Sequence, residues 1–467
     1  MTLCDLPIDI ILDVVNFLEL PDPISLLLTC SALYGLSDER SFWISVLETT
    51  RRKSPIACPP HSDLSQYPLD RLKGLVISWS KLQINWNQPF PQIVQPATTT
   101  HLPGPAQIIF MVQGTDILVL TMKGSVFCWD AKNATPFPLR AVETGGHITQ
   151  VSGLESAGIC VLAFFAAPFA APHAPRRYIL TIKHAAGKAI DFTSEVSQVS
   201  MPYGPHFESV FVTEDMVGTI SAIDNQEDCI LTVSGVSSDD RLLDSTSVLK
   251  LHRPLPSHAL MLSFAYKGHL YILLEDSESV QIQHISRKSL RSGGCEESSL
   301  YISEIDSSYD EFAAFCYMIP STPFYGISAV FVRLEGHAQG DTSRSTCFTF
   351  LPTTLTHAAD DGVSSPLAFD TSCVTEWVSG VLAEISLVWL DHSGFNAVAV
   401  IQPVMAFEPP RLVLVRYHPE TRSTSSHTLT VPETINPRSL SSVCIDDTAG
   451  VVHLVDTAGL LSTLRYV

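Results

Sequence analysis

Apolar residues recur at helical spacing from the start of the chain. In LPIDIILDVVNFL, residues 6–18, successive positions rotate by about 100° on a helix. On that wheel Ile10, Ile11, Val14, Val15, Phe17 and Leu18 fill one face. Ile8 and Leu12 widen it to an arc of roughly 220°, where an ordinary amphipathic helix needs only about 100° or a little more. Asp9, Asp13 and Asn16 form the only polar wedge. The pattern predicts a helix over 6–18 with two dry neighbours. Pro21 and Pro23 end it, and a second helix follows over about 24–36, with Ile24, Leu26, Leu27, Leu28, Cys30 and Leu33. Gly35 closes that one. Ser37 or Asp38 can cap a third over 39–48, which carries Phe42, Trp43, Val46 and Leu47. After a polar, proline-containing stretch, Leu69, Leu72, Leu75, Trp79, Leu82 and Trp86 predict one more amphipathic helix over about 68–86.

From about residue 105 the period changes. Short runs rich in Val, Ile, Phe, Tyr and Thr alternate with turn residues, as in QIIFMV, DILVLTM, SVFCW, RYILTIK, HLYILLE and RLVLVRY. On the order of 28 such strands can be marked, which suits about seven four-stranded propeller blades, to within one or two. TDILVLTMKGSVFCWD is the most blade-like piece. Gly124 makes its hairpin, and Trp129 with Asp130 ends a strand as in WD repeats. A pair of two-sheet sandwiches satisfies the same alternation. The chain therefore reads as multidomain, α followed by all-β. Residues 1–50 form a three-helix unit, 51–104 a linker containing the helix at about 68–86, and 105–467 a large β-propeller-like domain.

Composition narrows the function classes. The chain has 467 residues, 45% of them hydrophobic and 16% charged, with a formal charge of −20. The first 86 residues hold 7 basic and 10 acidic side chains, leaving 21 and 38 beyond, or −17 on the remainder. That balance argues against nucleic-acid and anionic-membrane partners, which need basic patches. The 11 cysteines are odd in number and form no C-x-x-C pair, a pattern of reduced thiols rather than of a disulfide framework. There is no signal-peptide pattern, and the most apolar run, from Gly158, is broken by prolines. The expected location is cytoplasmic, nuclear or both.

Three helices in about 45 residues fall below the size at which a core usually stabilises itself. The excess apolar surface of the first helix is then most simply covered by another protein. The same residues resemble an F-box. Leu6 and Pro7 match its opening Leu-Pro, followed by Asp9 and the aliphatic pair Ile10 and Ile11. Val14, Val15 and Leu18 fall on its next hydrophobic positions, and Asp22 and Leu26 on its second helix. Thr29 and Cys30 stand where Val-Cys is common, and Trp43 is its closing tryptophan. Leu33 and Ser31 depart from a common tryptophan and a common basic residue, variations that look like those of fungal F-box proteins. The resemblance covers about a tenth of the chain.

The resemblance implies binding to the Skp adaptor and, through it, to the cullin and RING subunits of a ubiquitin ligase. The β-domain would then select an unknown protein substrate. By carry-over, Leu6, Pro7, Ile10, Ile11, Val14, Leu18, Leu26, Cys30 and Trp43 are candidates for the adaptor interface or its direct support, with a third to a half of them forming the F-box's own core. No P-loop, dinucleotide fingerprint, nucleophile elbow or zinc-protease motif occurs, and the 16 histidines show no zinc-like spacing. The expectation is a non-catalytic substrate receptor without cofactor or metal. An adaptor-binding scaffold outside a ligase is one alternative, and a propeller hydrolase assembled from several blades is another. The acidic segment 295–312 reads as a solvated loop and strand edge, and segments 166–177 and 357–366 as insertions between strands.

Overall fold

The structure, a computed structural model, describes residues 6–15, 17–18, 22–53, 56, 63–112, 114–133, 141–156 and 421–467, with the strands, the short helix and the short connections between 156 and 421 and the strand at 135–136. Segments 295–300, 304–310, 169–175 and 357–366 lie outside the described residues, and with them most of the three stretches singled out above.

The helices come first. α1 (Ile8–Val15) is prolonged by two turn bonds, from Phe17 N–H to the Val14 carbonyl (3.0 Å) and from Leu18 N–H to the Val15 carbonyl (3.1 Å). The expected second helix divides into α2 (Asp22–Leu27) and α3 (Ser31–Tyr34). Thr29 Oγ1 donates to the Leu26 carbonyl (2.7 Å), and Cys30 is extended at φ −159°, ψ 162°. A hydroxyl competing for helix carbonyls and one extended residue break the run, although its apolar spacing continues. A 3₁₀ turn (Gly35–Asp38) leads into α4 (Arg40–Lys53), longer than the expected 39–48. Another 3₁₀ turn (Leu64–Gln66), capped by Asp63, precedes α5 (Leu69–Trp86), which starts on Pro68. Pro68 has no N–H to leave unsatisfied, so it suits that boundary.

The strands follow. β1 (Gln95–His101) lies inside the stretch read as linker. Its sequence, QPATTTH, has no apolar alternation, so nothing in the pattern marks it. β2 (Gln107–Met111), β3 (Ile117–Met122), β4 (Ser125–Asp130), β5 (Thr135–Pro136) and β6 (Val142–Glu143) form one sheet. β7 (Gly146–Ser156), β8 (Ile159–Pro168), β9 (Arg176–Ala185) and β10 (Lys188–Gln198) form the second. The third holds β11 (Pro205–Val212), β12 (Met216–Ile223), β13 (Asp228–Val236) and β14 (Leu242–His252). β15 (Leu260–Tyr266), β16 (His269–Glu275), β17 (Val280–Ile285) and β18 (Ile302–Ser303) make the fourth, with the short α6 (Arg287–Ser292) before β18. The fifth has β19 (Glu311–Phe315), β20 (Gly326–Gly336), β21 (Arg344–Thr354), β22 (Ala368–Phe369) and β23 (Val374–Val378). The sixth has β24 (Ala383–Leu390), β25 (Asn396–Pro403), β26 (Arg411–His418) and β27 (Ser423–Thr428). β28 (Leu440–Asp446), β29 (Val451–Asp456) and β30 (Leu460–Arg465) complete the set, and β1 pairs with β30 on their outer side.

Among the described residues the strands thus form seven small antiparallel sheets, each built from neighbours in sequence except where β1 joins the last. First strands of neighbouring sheets meet on either side of the first sheet: β2 touches β7, β7 touches β11, β11 touches β15, β24 touches β28, and β28 returns to β2, while the fifth sheet meets the sixth through β21 with β24 and β23 with β27. The arrangement is propeller-like, not a pair of sandwiches. Apolar residues fill the space between adjacent sheets. Phe110, Val119 and Cys128 meet Leu162, Phe164 and Leu180 between the first two sheets, and Leu412, Leu414, Ile445, Val452 and Leu118 belong to the core shared by the sixth, the seventh and the first. Gly153 shows how close the sheets lie, since a Cβ there would come within 2.5 Å of the Phe110 ring. In the β3–β4 hairpin, Lys123 (φ 50°) and Gly124 (φ 78°) form a two-residue turn of the kind that matches strand twist. Asp130 then accepts from the N–H groups of Lys132 and Asn133 (2.9 Å each), turning the chain out of β4.

Candidate functional site

The helical bundle separates the nine candidate residues into layers. Ile11 and Trp43 are each only 4% exposed and belong to its core, with Val15, Leu27, Leu33, Phe42, Val46 and Leu47. Trp43 donates its indole N–H to the Ser37 carbonyl (2.7 Å) and sets its ring edge-on to Phe42, centroids 5.2 Å apart. The polar end of the buried indole is thereby satisfied. Leu6, Leu18, Leu26 and Cys30 are partly buried against the same core. Val14 is half-buried, and Pro7 and Ile10 are exposed.

Four large apolar residues outside that set are also exposed: Phe17 (86%), Leu28 (71%), Tyr34 (58%) and Ile8 (41%). Ile10 is 42% exposed. On α1 and its last turn, Ile10, Val14 and Phe17 follow i, i+4, i+7 spacing and so form one seam. At about 100° per residue this seam lies between the buried stripe of Ile11 and Val15 and the carboxylate of Asp13. The wide apolar arc of the sequence is therefore half core and half surface. Ile8, Phe17 and Leu28 already stood in the apolar pattern, whereas nothing in the sequence marks Tyr34.

α5 carries this bundle. Its first half puts Leu72, Val76 and Trp79 into the helical core, and its second half puts Leu82 and Trp86 into the core between the β-sheets. One helix of 18 residues is thus shared by two cores. Its first half is tied down by polar contacts: Lys73 Nζ lies 3.1 Å from Asp38, the Arg40 guanidinium donates to the Ser65 and Tyr67 carbonyls, and Arg71 lies over the Tyr67 ring. Such exposed pairs contribute on the order of 0–1 kcal/mol each, so the shared apolar core dominates.

The second half is locked more firmly. Asn85 donates to the Gln92 and Tyr466 carbonyls (2.7 Å each) and accepts from Gln92 N–H (2.8 Å). Arg416, on β26, donates to Asn396 Oδ1 (3.2 Å), Asn87 Oδ1 (2.6 Å) and Gln83 Oε1, and its guanidinium lies 5.7 Å from the Trp86 ring centroid. Burial pulls the Arg416 pKa down to about 10, against the pull of the Asp447 carboxylate, and it stays charged at neutral pH. Asn396 in turn donates to Asp447 Oδ2 (2.6 Å). The network joins α5, the sixth sheet and the seventh.

Among the described residues no group of three His, Cys, Asp or Glu side chains could hold a metal ion, and no helix is long and apolar enough to cross a membrane. Cys128 and Cys444 are buried thiols whose pKa values burial raises, that of Cys128 to about 12, so neither is a thiolate at neutral pH.

The fold defines a mostly β, propeller-like protein with a short helical bundle at its N-terminal end. No family model matches the chain, and no curated protein matches it. Solved structures do resemble it, with low scores. One is the WD40 domain of SCAP from fission yeast, at 10% identity and a TM-score of 0.39, covering 77% of this chain and 84% of that one. Another is Kuenenia stuttgartiensis hydrazine synthase, at 10% identity and a TM-score of 0.43, covering 80% and 99%. A third, from a mitotic checkpoint complex, has 9% identity and a TM-score of 0.39, covering 81% and 97%. The architecture stated above rests on the strand pairing of this chain and not on these matches.

Proposed function

We propose that this chain is a substrate-recognition subunit of a Skp–cullin–F-box ubiquitin ligase, docking on the Skp adaptor through the α1–α4 bundle. The observation that carries this reading is the apolar seam of Ile10, Val14 and Phe17, with Pro7, Leu28 and Tyr34 exposed on the same bundle. A small bundle that leaves Phe17 and Leu28 mostly in water has a face made for another protein. In this reading the seven sheets are seven blades of one ring, closed where β1 joins β28–β30, and the ring captures the protein substrate. The chain itself is not catalytic. It acts by proximity, raising the concentration of substrate beside the charged ubiquitin carrier.

Co-expression with a Skp adaptor and a cullin tests both halves. The full chain should recover both, and the Ile10→Ser, Phe17→Ser variant should lose both while keeping its fold. Recovery of the adaptor without the cullin would favour a scaffold outside a ligase, and loss of neither would refute the docking face. Deleting residues 1–50 is the poorer experiment, because it would bare Leu72, Val76 and Trp79 of α5.

A further inference from the structure

Where α5 meets the β-domain, three carboxyl side chains share one buried cluster. Asp446 ends β28, Asp447 follows it, and Asp391 follows β24. Each is 3% exposed or less. Bonds between the sixth and seventh sheets hold them together. Asp391 Oδ1 accepts from Asp447 N–H (3.4 Å), and Asp447 Oδ2 accepts from Asn396, which itself accepts from Arg416. Asp446 Oδ1 shapes the turn after β28, accepting from Thr448 Oγ1 (2.6 Å) and from the N–H groups of Thr448 (3.0 Å) and Ala449 (2.9 Å).

That turn is the seat of α5. Gly450 (φ 64°) lies so close to the helix that a Cβ there would come within 2.5 Å of Leu82. Its carbonyl accepts from Tyr466 N–H (2.9 Å), and the Tyr466 carbonyl accepts from Asn85 of α5.

Charge in the cluster does not balance. Arg416 is the cation that the network brings to the three carboxyls. Of the other neighbours, α5 offers Leu82, Gln83 and Asn87, none of them charged. Cys444 keeps its thiol proton, and His453, opposite it on β29, is neutral. Arg465, in register with Asp446 across β29, is engaged by Asp116 (3.4 Å). Three buried negative charges facing one positive charge favour keeping a proton on one carboxyl. We propose that Asp446 is a proton switch for the α5 joint, which holds the helix firmly when protonated and loosens it when ionised.

Burial pushes the Asp446 carboxyl up to about 6, and the Asp447 charge adds to the rise, against the bonds from Thr448 and Ala449 that favour the ionised form. An aspartate in an opened segment titrates near about 3.9. The folded value lies above the open one, so the stabilisation is complete below about pH 4 and is lost as pH rises through 6. Ionisation sets a third negative charge beside Asp391 and Asp447, and the turn beneath Leu82 gives way. The switch does not depend on what docks on the helical bundle.

Hydrogen exchange on the full chain, corrected for the intrinsic pH dependence of amides, reads the opening of residues 80–87. From pH 5 to 7, a carboxyl that titrates near 6 when closed and near 3.9 when open raises the opening constant roughly tenfold. Wild type should lose that factor of protection, and Asp446→Asn should lose about twofold or less. Both chains keep His453, so its opposite trend cancels in the comparison. Equal pH dependence of residues 80–87 in the two chains would overturn the proposal. Should Asp446→Asn fail to fold, Asp447→Asn decides. With the neighbouring charge removed, the midpoint of the protection loss should move to lower pH, and an unmoved midpoint overturns the switch.

Discussion

Replacing Arg416 with methionine probes the joint between α5 and the β-domain. The change keeps the length of the stem but removes three hydrogen bonds and the cation beside Trp86. Asn87 is exposed and Gln83 half-buried, so both can turn to water and their loss costs little. Asn396 is only 4% exposed and cannot, and Asp447, 1% exposed, loses a compensating charge. A hydrogen bond to a charged group contributes about 1.5–3 kcal/mol, and breaking a buried ionic pair by removing one partner costs about 3–5 kcal/mol. With two of the three acceptors rescued by water, a loss of roughly 3 kcal/mol is expected. Urea denaturation measures it, and hydrogen exchange should show faster amides over residues 80–87 while the α1–α4 core stays protected. The Arg416→Met, Asp447→Asn double variant should be more stable than the sum of the singles predicts, since it removes the charge that Arg416 balances. A single variant within about 0.5 kcal/mol of wild type, or an additive cycle, would refute this account of the joint.

Other expectations follow from the same packing. Gly153→Ala should cost about 1–3 kcal/mol, because the new methyl meets the Phe110 ring, and Phe110→Leu in the same chain should recover part of it; a neutral Gly153→Ala in urea titration would contradict that contact. His453 is buried, bonded through Nδ1 to Thr463 Oγ1 (3.0 Å), and held at a pKa of about 3 by burial and Arg465. Its folded pKa lies below the unfolded 6.5, so its contribution is complete above pH 6.5 and is lost as pH falls toward 3, at about 1.4 kcal/mol per pH unit. Stability measured from pH 7 to 4.5 should therefore decline less steeply in His453→Gln, and an unchanged slope would show that this histidine does not titrate on unfolding.

The sequence pattern carried much of this fold where packing follows periodicity. α5 begins one residue after its expected start and ends at Trp86, because Pro68 and a long apolar stripe mark both ends. The β3–β4 hairpin sits on Gly124, as its turn chemistry requires. Periodicity failed where polar detail decides. Thr29 and Cys30 interrupt the second helix, and β1 owes its place to an open edge on β30 rather than to any pattern of its own. The candidate site was legible as composition and not as geometry. The wide apolar arc of residues 6–18 announces too much hydrophobic surface, yet Ile10 and Ile11 are neighbours in sequence, one exposed and the other in the core. Only the position of α4, which packs on α1, distinguishes them. Nor does a sequence of separated histidines and serines reveal that His418 and His427 both reach the Ser425 hydroxyl, at 2.9 and 3.0 Å, across β26 and β27.

The central claim is that the exposed seam on α1 docks a Skp adaptor. A calorimetric titration of purified adaptor into the full chain tests it most directly, with three variants compared. Ile10→Ser and Phe17→Ser should each weaken binding by about 1–3 kcal/mol, roughly 5- to 150-fold, without moving the unfolding transition. Trp43→Ala should lower stability instead, by about 3–5 kcal/mol, because that side chain belongs to the core. Adaptor affinity unchanged by Ile10→Ser and Phe17→Ser together, in chains that remain folded, would contradict the account.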